Sequence, residues 1–153
     1  MAVIPAAVSG FIRDGRVGRL GTADRSGQPM VVPICYAFDG EALYSAVDAK
    51  PKTAAPAALR RIRNIQDNPR VSVVIDRYEE DWSRLEWVII QGEADLLTEG
   101  DAFARGASLL LAKYPQYRAM GLAAERGLMI RVRPARVRHW RAGGDPGPAA
   151  PAP

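Results

Sequence analysis

Hydrophobic and polar positions alternate along much of this chain with the period of a strand, and three stretches instead carry the longer period of a helix. Val17 to Ala23 reads as a first strand, followed by turn chemistry in Asp24-Arg25-Ser26-Gly27. Met30 to Phe38 is an extended apolar run that sets Met30, Val32, Ile34, Tyr36 and Phe38 on one side. Pro33 has no N–H to give, so this run is expected to be an edge strand or to be interrupted there. Asp39-Gly40 lies between two apolar runs, which is the signature of a two-residue hairpin loop, and Glu41 to Val47 is the returning strand. Val71 to Ile75 is β-branched and short, as a buried strand would be. An acidic loop over 77–83 leads to a long strand, Leu85 to Leu97, in which Gly92 marks a bulge or bend. Met129 to Trp140 is the last strand, with Ile130 and Val132 in its apolar set.

The helical stretches are 2–13, with Pro5 near its start, 53–68 after Pro56, and 99–114. Leu59, Ile62 and Ile65 recur at threes in the second, and Asn68-Pro69 ends it. In the third, Phe103, Ala107, Leu110 and Tyr114 form one stripe. Residues 1–141 thus read as one domain, and 142–153 as a disordered tail of Ala, Gly and Pro. Hairpin-connected strands with inserted helices imply a mainly β fold, an antiparallel sheet closing into a small barrel.

Composition narrows the chemistry. In 153 residues there is one cysteine, Cys35, and one histidine, His139, so neither a disulfide framework nor a multi-histidine metal site fits within one chain. No apolar run approaches the ~20 residues of a membrane span and no signal peptide is visible, so a cytoplasmic protein is expected. The net charge of +4 calls for an anionic partner. Arginines cluster at 60, 61, 63 and 70 and again from 131 to 141; each cluster reads equally as a solvated face. Nucleic-acid binding fits poorly, for the arginines lack interleaved aromatics and any recognisable motif.

The segment Tyr44-Ser45-Ala46-Val47-Asp48-Ala49-Lys50-Pro51-Lys52-Thr53 carries the most chemistry. A strand ends, two ammonium groups and a hydroxyl emerge close together, and Arg60 and Arg61 follow. Such a set clamps an anion, although a polar loop with incidental lysines has the same spacing. Cys35 has no identifiable base partner and reads as a small buried apolar residue. Trp87 reads as core, while Trp82, after three acidic residues, suits an interface or a stacked ring.

From Gly15 to Trp140 the chain resembles the FMN-binding split-barrel superfamily, whose best-known member is pyridoxamine 5'-phosphate oxidase. Arg16-Val17-Gly18-Arg19-Leu20-Gly21-Thr22, Gly27-Gln28-Pro29, Val32-Pro33, Lys50-Pro51-Lys52, Asn64 to Ser72 and Trp140 carry that likeness. Residues 44–52, Asp81-Trp82-Ser83-Arg84 and Ala112-Lys113-Tyr114-Pro115-Gln116-Tyr117 are more narrowly similar to the actinobacterial branch that uses deazaflavin coenzyme F420.

The resemblance implies a split antiparallel β-barrel that is a homodimer, with a cofactor between its subunits. Lys50, Lys52 and Thr53 match the loop that holds the cofactor phosphate. The backbone of Val32, Pro33, Ile34 and Cys35 matches the strand along the isoalloxazine edge, and Ser45, Ala46 and Val47 match its neighbour. Trp82, Arg84 and Trp140 are then placed to serve the partner's site. Arg60, Arg61 and the C-terminal arginines suit the carboxylates of the F420 tail. Lys-Pro-Lys stands where pyridoxamine 5'-phosphate oxidase has Ser-Arg-Lys, so vitamin B6 oxidation is not implied. The expected activity is hydride transfer from reduced F420 to an unsaturated small molecule, a tetrapyrrole such as biliverdin among the candidates. The alternatives are an FMN-dependent oxidoreductase and a non-catalytic carrier of F420 or haem, for which His139 could meet iron. The resemblance requires no catalytic side chain and no metal ligand.

Overall fold

A computed structural model describes residues 2–47 and 59–144. The elements run α1 (Ala6–Asp14), β1 (Gly18–Ala23), β2 (Pro29–Ile34), β3 (Ala37–Phe38), β4 (Leu43–Ala46), α2 (Arg60–Asp67), β5 (Arg70–Arg77), β6 (Glu86–Glu99), α3 (Asp101–Lys113), α4 (Gln116–Ala119) and β7 (Arg126–Arg141). The seven strands form one sheet in the order β2-β1-β5-β6-β7-β4-β3, antiparallel throughout. A flat sheet of that size would be about 29 Å wide at ordinary strand spacing. Yet its two end strands, β2 and β3, are joined only by Cys35-Tyr36, which spans about 11 Å at most. The sheet must therefore curl until its ends meet, and no β2–β3 ladder forms among the described residues: this is a split barrel.

Closure explains why the apolar run from Met30 to Phe38 is two strands and not one. Its alternation holds inward through Val32 and Ile34, and then the chain leaves β1 and joins β4. The Asp39-Gly40 hairpin is present, but its central residues are Gly40 and Glu41, with Gly40 at φ 100°. The Asp39 N–H donates to the Ala42 carbonyl, while the Asp39 carboxylate accepts from the N–H groups of Glu41 and Ala42. The side chain thus takes the place of a ladder carbonyl and moves the turn one residue along.

Gly92 does mark a bulge, where the β6–β7 register shifts. A Cβ there would lie 2.0 Å from the Arg133 carbonyl oxygen, so β7 comes too close for any other residue. Helix α2 starts later than expected, because Leu59 is extended (φ −63°, ψ 139°); residues 53–58 lie outside the described part. The strands β5, β6 and β7 outrun their apolar centres at both ends.

Two cores result. Leu20, Ile34, Val73, Ile75, Val88, Ile90 and Ile130 fill the barrel, with Val8 and Ile12 of α1 and Ile62 and Ile65 of α2 packed among them. Outside it, the stripe Phe103, Ala107, Leu110 and Tyr114 packs on Ala37, Tyr44 and Met129. Each such aliphatic or aromatic side chain contributes roughly 1.5–3 kcal/mol on burial. Asn64, buried on α2, donates to the Thr22 hydroxyl at 3.0 Å and fixes that helix against β1. Ala142 prolongs the sheet by donating to the Leu85 carbonyl, where the tail was expected to begin; residues 145–153 lie outside the described part. No helix among the described residues is long and apolar enough to cross a membrane.

Candidate cofactor site

The sheet's open seam brings together two of the segments singled out from the sequence. The Ser45 hydroxyl of β4 donates to the Cys35 carbonyl at 2.8 Å, holding the end of β2 against the returning hairpin. Ser45 and Val47 are buried and Ala46 is half-buried. Strand β2 pairs with β1 alone, so it is an edge strand. The register and the Asp24 N–H to Gln28 carbonyl bond turn Pro29, Val31 and Pro33 away from β1, so that edge offers three carbonyls and, the prolines having no N–H, the Val31 N–H as its donor. Cys35 is exposed and does not fill a core position as expected; the crossover from β2 to β3 turns it outward and puts Tyr36 inside instead.

Register sorts the remaining candidates by face. Pro33, Arg19, Val74, Ile89 and Arg138 lie opposite one another across five strands, and Asp76, Trp87 and Trp140 form the next row. These side chains share the outer face of the sheet. Trp87 is therefore not core: it is half-buried and stacks on Trp140, with centroids 6.2 Å apart and planes 21° apart. A shallow cavity of about 440 Å³ lies beside it, among Arg19, Val74, Asp76 and Ile89. Trp82 is 68% exposed on a 3₁₀ turn, Trp82–Arg84, and Arg84 pairs with Glu79 at 3.1 Å.

The basic residues divide into paired and unpaired. Asp95 accepts from both Arg131 and Arg133, so those two arginines are not free for a ligand. Burial works against the Asp95 carboxylate's charge, but the hydrogen bonds from Arg133 and Arg131 outweigh it and hold the group below the ordinary carboxylate range. Arg60 is exposed and Arg61 half-buried at the start of α2, and neither has an ion pair among the described residues. Lys50, Lys52 and Thr53, the expected phosphate clamp, lie outside the described residues. His139 is engaged: its Nε2 lies 2.8 Å from Glu86, which Arg77 approaches from the other side at 3.6 Å. No group of three or more metal-ligating side chains gathers among the described residues.

This barrel has known counterparts. The sequence profile of the pyridoxamine 5'-phosphate oxidase family matches residues 4–141. The chain belongs to that family. Among solved structures, a conserved hypothetical protein from Mycobacterium tuberculosis superposes with a TM-score of 0.72 at 22% identity, covering 99% of this chain and 94% of that one. The haem storage protein HutZ from Vibrio cholerae gives 0.69 at 15%, covering 94% and 96%. An F420 reductase gives 0.61 at 20%, covering 88% and 98%. At these identities the likeness is one of fold. None of the curated proteins matches the chain.

Within the family's fold, one cluster escaped the sequence reading. Tyr114, just past α3, donates through its hydroxyl to the Arg16 carbonyl at 2.7 Å and accepts from the Tyr36 N–H at 3.3 Å. Lys113 donates to the Gly15 carbonyl at 2.5 Å, with its ammonium 4.2 Å from the centre of the Tyr36 ring. Burial, aided by the neighbouring Arg16 charge, pushes Lys113 down to about 8. Arg16 lies over the Tyr114 ring at 4.7 Å and donates to the Lys113 carbonyl. The sequence places Tyr114 in the apolar stripe of α3 and Lys113 beside it in a segment marked by resemblance alone, but the partners of both are about 80 to 100 residues away. No local pattern links them.

Proposed function

We propose that this protein is an oxidoreductase that binds coenzyme F420 along β2, as a homodimer. The carrying observation is the seam itself: an edge strand with unpaired backbone groups, ended by Cys35 and braced by Ser45, in a chain of the pyridoxamine 5'-phosphate oxidase family. A pyrimidinedione ring edge presents two acceptors around a donor; the outward Val31 N–H suits one acceptor and the outward carbonyls suit the donor. The guanidiniums of Arg60 and Arg61, without an ion pair among the described residues, fit carboxylates, and Lys50, Lys52 and Thr53 supply the phosphate contacts in this reading. The likeness to an F420 reductase supports the coenzyme, with FMN as the alternative.

The coenzyme supplies hydride chemistry when bound, toward an unsaturated small molecule. The chain's residues bind and orient it in this reading: β2 along the ring edge, Ser45, Ala46 and Val47 beside it, and the outer face of the sheet, with Val74, Trp87, Ile89 and Trp140 among its charged residues, against a second copy. Val31 is 66% exposed and Trp140 43%, apolar surface that a dimer would cover. Trp82, Arg84 and Trp140 then border the partner's site. No side chain is assigned a proton-transfer role. The cytoplasm suits such a protein, since a free thiol such as Cys35 persists there.

Stopped-flow oxidation of reduced F420 tests the activity, across a panel of enones, nitro compounds and biliverdin. Turnover of at least one acceptor is expected. Binding of F420 without turnover would favour the second reading, a non-catalytic carrier, which the likeness to a haem storage protein supports. A Soret band in the purified protein would move that reading from F420 to haem.

A further inference from the structure

A cleft of about 400 Å³ opens between the C-terminal turns of α1 and α3, over β3. Its apolar wall comprises Phe38, Leu109 and Ala112, and its charged wall Arg13, Asp14, Arg16 and Lys113. Three cations therefore face one carboxylate, and Asp14 forms an ion pair with none of them. Elsewhere a nearby carboxylate does claim its arginines, as Asp95 claims Arg131 and Arg133, and Asp39 claims Arg105. Here the contacts of Arg16 and Lys113 are to neutral carbonyls and aromatic rings, which fix the heads without cancelling their charge. Capping the ends of α1 and α3 accounts for those carbonyl contacts. It does not account for Arg13, which has no partner among the described residues, or for the open apolar wall.

We propose that this cleft binds a small molecule with an apolar body and a single carboxylate or phosphate group. The anion would sit among Arg13, Arg16 and Lys113, and the body against Phe38, Leu109 and Ala112. The volume is at the lower end of small-molecule sites and suits one or two fused rings. None of the residues assigned to the coenzyme lines the cleft, so it is testable in coenzyme-free protein.

The groups facing Lys113 are Asp14 of α1, Arg16 on the following segment, Tyr36 and Cys35 on the β2–β3 crossover, and Tyr114 beyond α3. Burial already lowers the ammonium to about 8, so raising the pH through that value discharges it and weakens anion binding.

Fluorescence titration at neutral pH with 2-naphthoate, 2-naphthyl phosphate and the neutral 2-naphthalenemethanol is the test. Saturable one-to-one binding of an anionic probe is expected, at least about tenfold tighter than the neutral probe. Arg13→Ala, at an exposed side chain, should weaken it about three- to tenfold with the melting temperature unchanged. Binding by the native protein should fall between about pH 7 and pH 9, while Lys113→Arg, which stays charged, should bind with a flat pH profile. Absence of saturable binding of both anions, equal affinity for the neutral probe, or an Arg13→Ala variant that binds as well as native would overturn the assignment.

Discussion

Tyr114 is the polar pin at the barrel's seam, and replacing it by phenylalanine removes one hydroxyl and nothing else. That hydroxyl donates to the Arg16 carbonyl and accepts from the Tyr36 N–H; the Tyr36 carbonyl, at 3.1 Å, is within reach as well. Arg16 is exposed, so its carbonyl can recover a water and the loss there is small. Tyr36 is fully buried at the crossover, and its N–H would be left with no acceptor. An unsatisfied buried donor costs about 1–3 kcal/mol. The accepted bond is long at 3.3 Å, so the middle of that range, about 2 kcal/mol, is the reasonable expectation. For a domain of this size that is a fall of about 4–8 °C in melting temperature. Differential scanning fluorimetry measures it, with Tyr78→Phe, at a 63% exposed position, as the control. If Tyr114→Phe melts within a degree of the native protein, as the control should, then the hydroxyl does not hold the seam and the account of barrel closure fails.

Three further outcomes follow from the geometry. Ser45→Ala frees the Cys35 carbonyl at the end of β2; about 1 kcal/mol of stability should go, and the loss of F420 affinity should exceed what that figure implies. Gly92→Ala drives a methyl into the Arg133 carbonyl across the β6–β7 bulge, so soluble yield and urea midpoint should both drop sharply, by about 3 kcal/mol or more. Asp95→Asn tests the arginine pairing by pH. The folded carboxylate titrates below its ordinary range, so its stabilisation is complete above about pH 4 and is lost as the pH falls through the folded value. The gap in urea midpoint between native and variant should therefore be widest near neutral pH and close in acid.

Much of the fold was legible because period and punctuation agree in this chain. The stripe on α3 and the bulge at Gly92 appear where apolar spacing and a lone glycine put them. Misreadings arose where tertiary demand overrode a local pattern. Met30 to Phe38 alternates like one strand, but closing the barrel needs the chain to change partners at Cys35-Tyr36, and alternation says nothing about partners. Trp87 sits in a strand apolar on both faces, so hydrophobicity could not tell its outward side from its inward one. The arginines of β7 looked alike in sequence, yet Asp95 claims Arg131 and Arg133 and leaves Arg136, Arg138 and Arg141 without an ion pair among the described residues. Of the candidate site, Cys35 and Ser45 come together as their strands required, while Lys50, Lys52 and Thr53 lie outside the described residues. The Lys113–Tyr114 cluster was illegible for a simpler reason: its contacts reach back to Gly15, Arg16 and Tyr36, across most of the chain.

The claim that the seam along β2 is a coenzyme site is tested most directly by equilibrium titration of the purified protein with F420 and FMN, followed by fluorescence. The account predicts saturable micromolar binding of F420, tighter than that of FMN and lost when Lys52→Ala is introduced. Binding of neither cofactor by folded protein would contradict it.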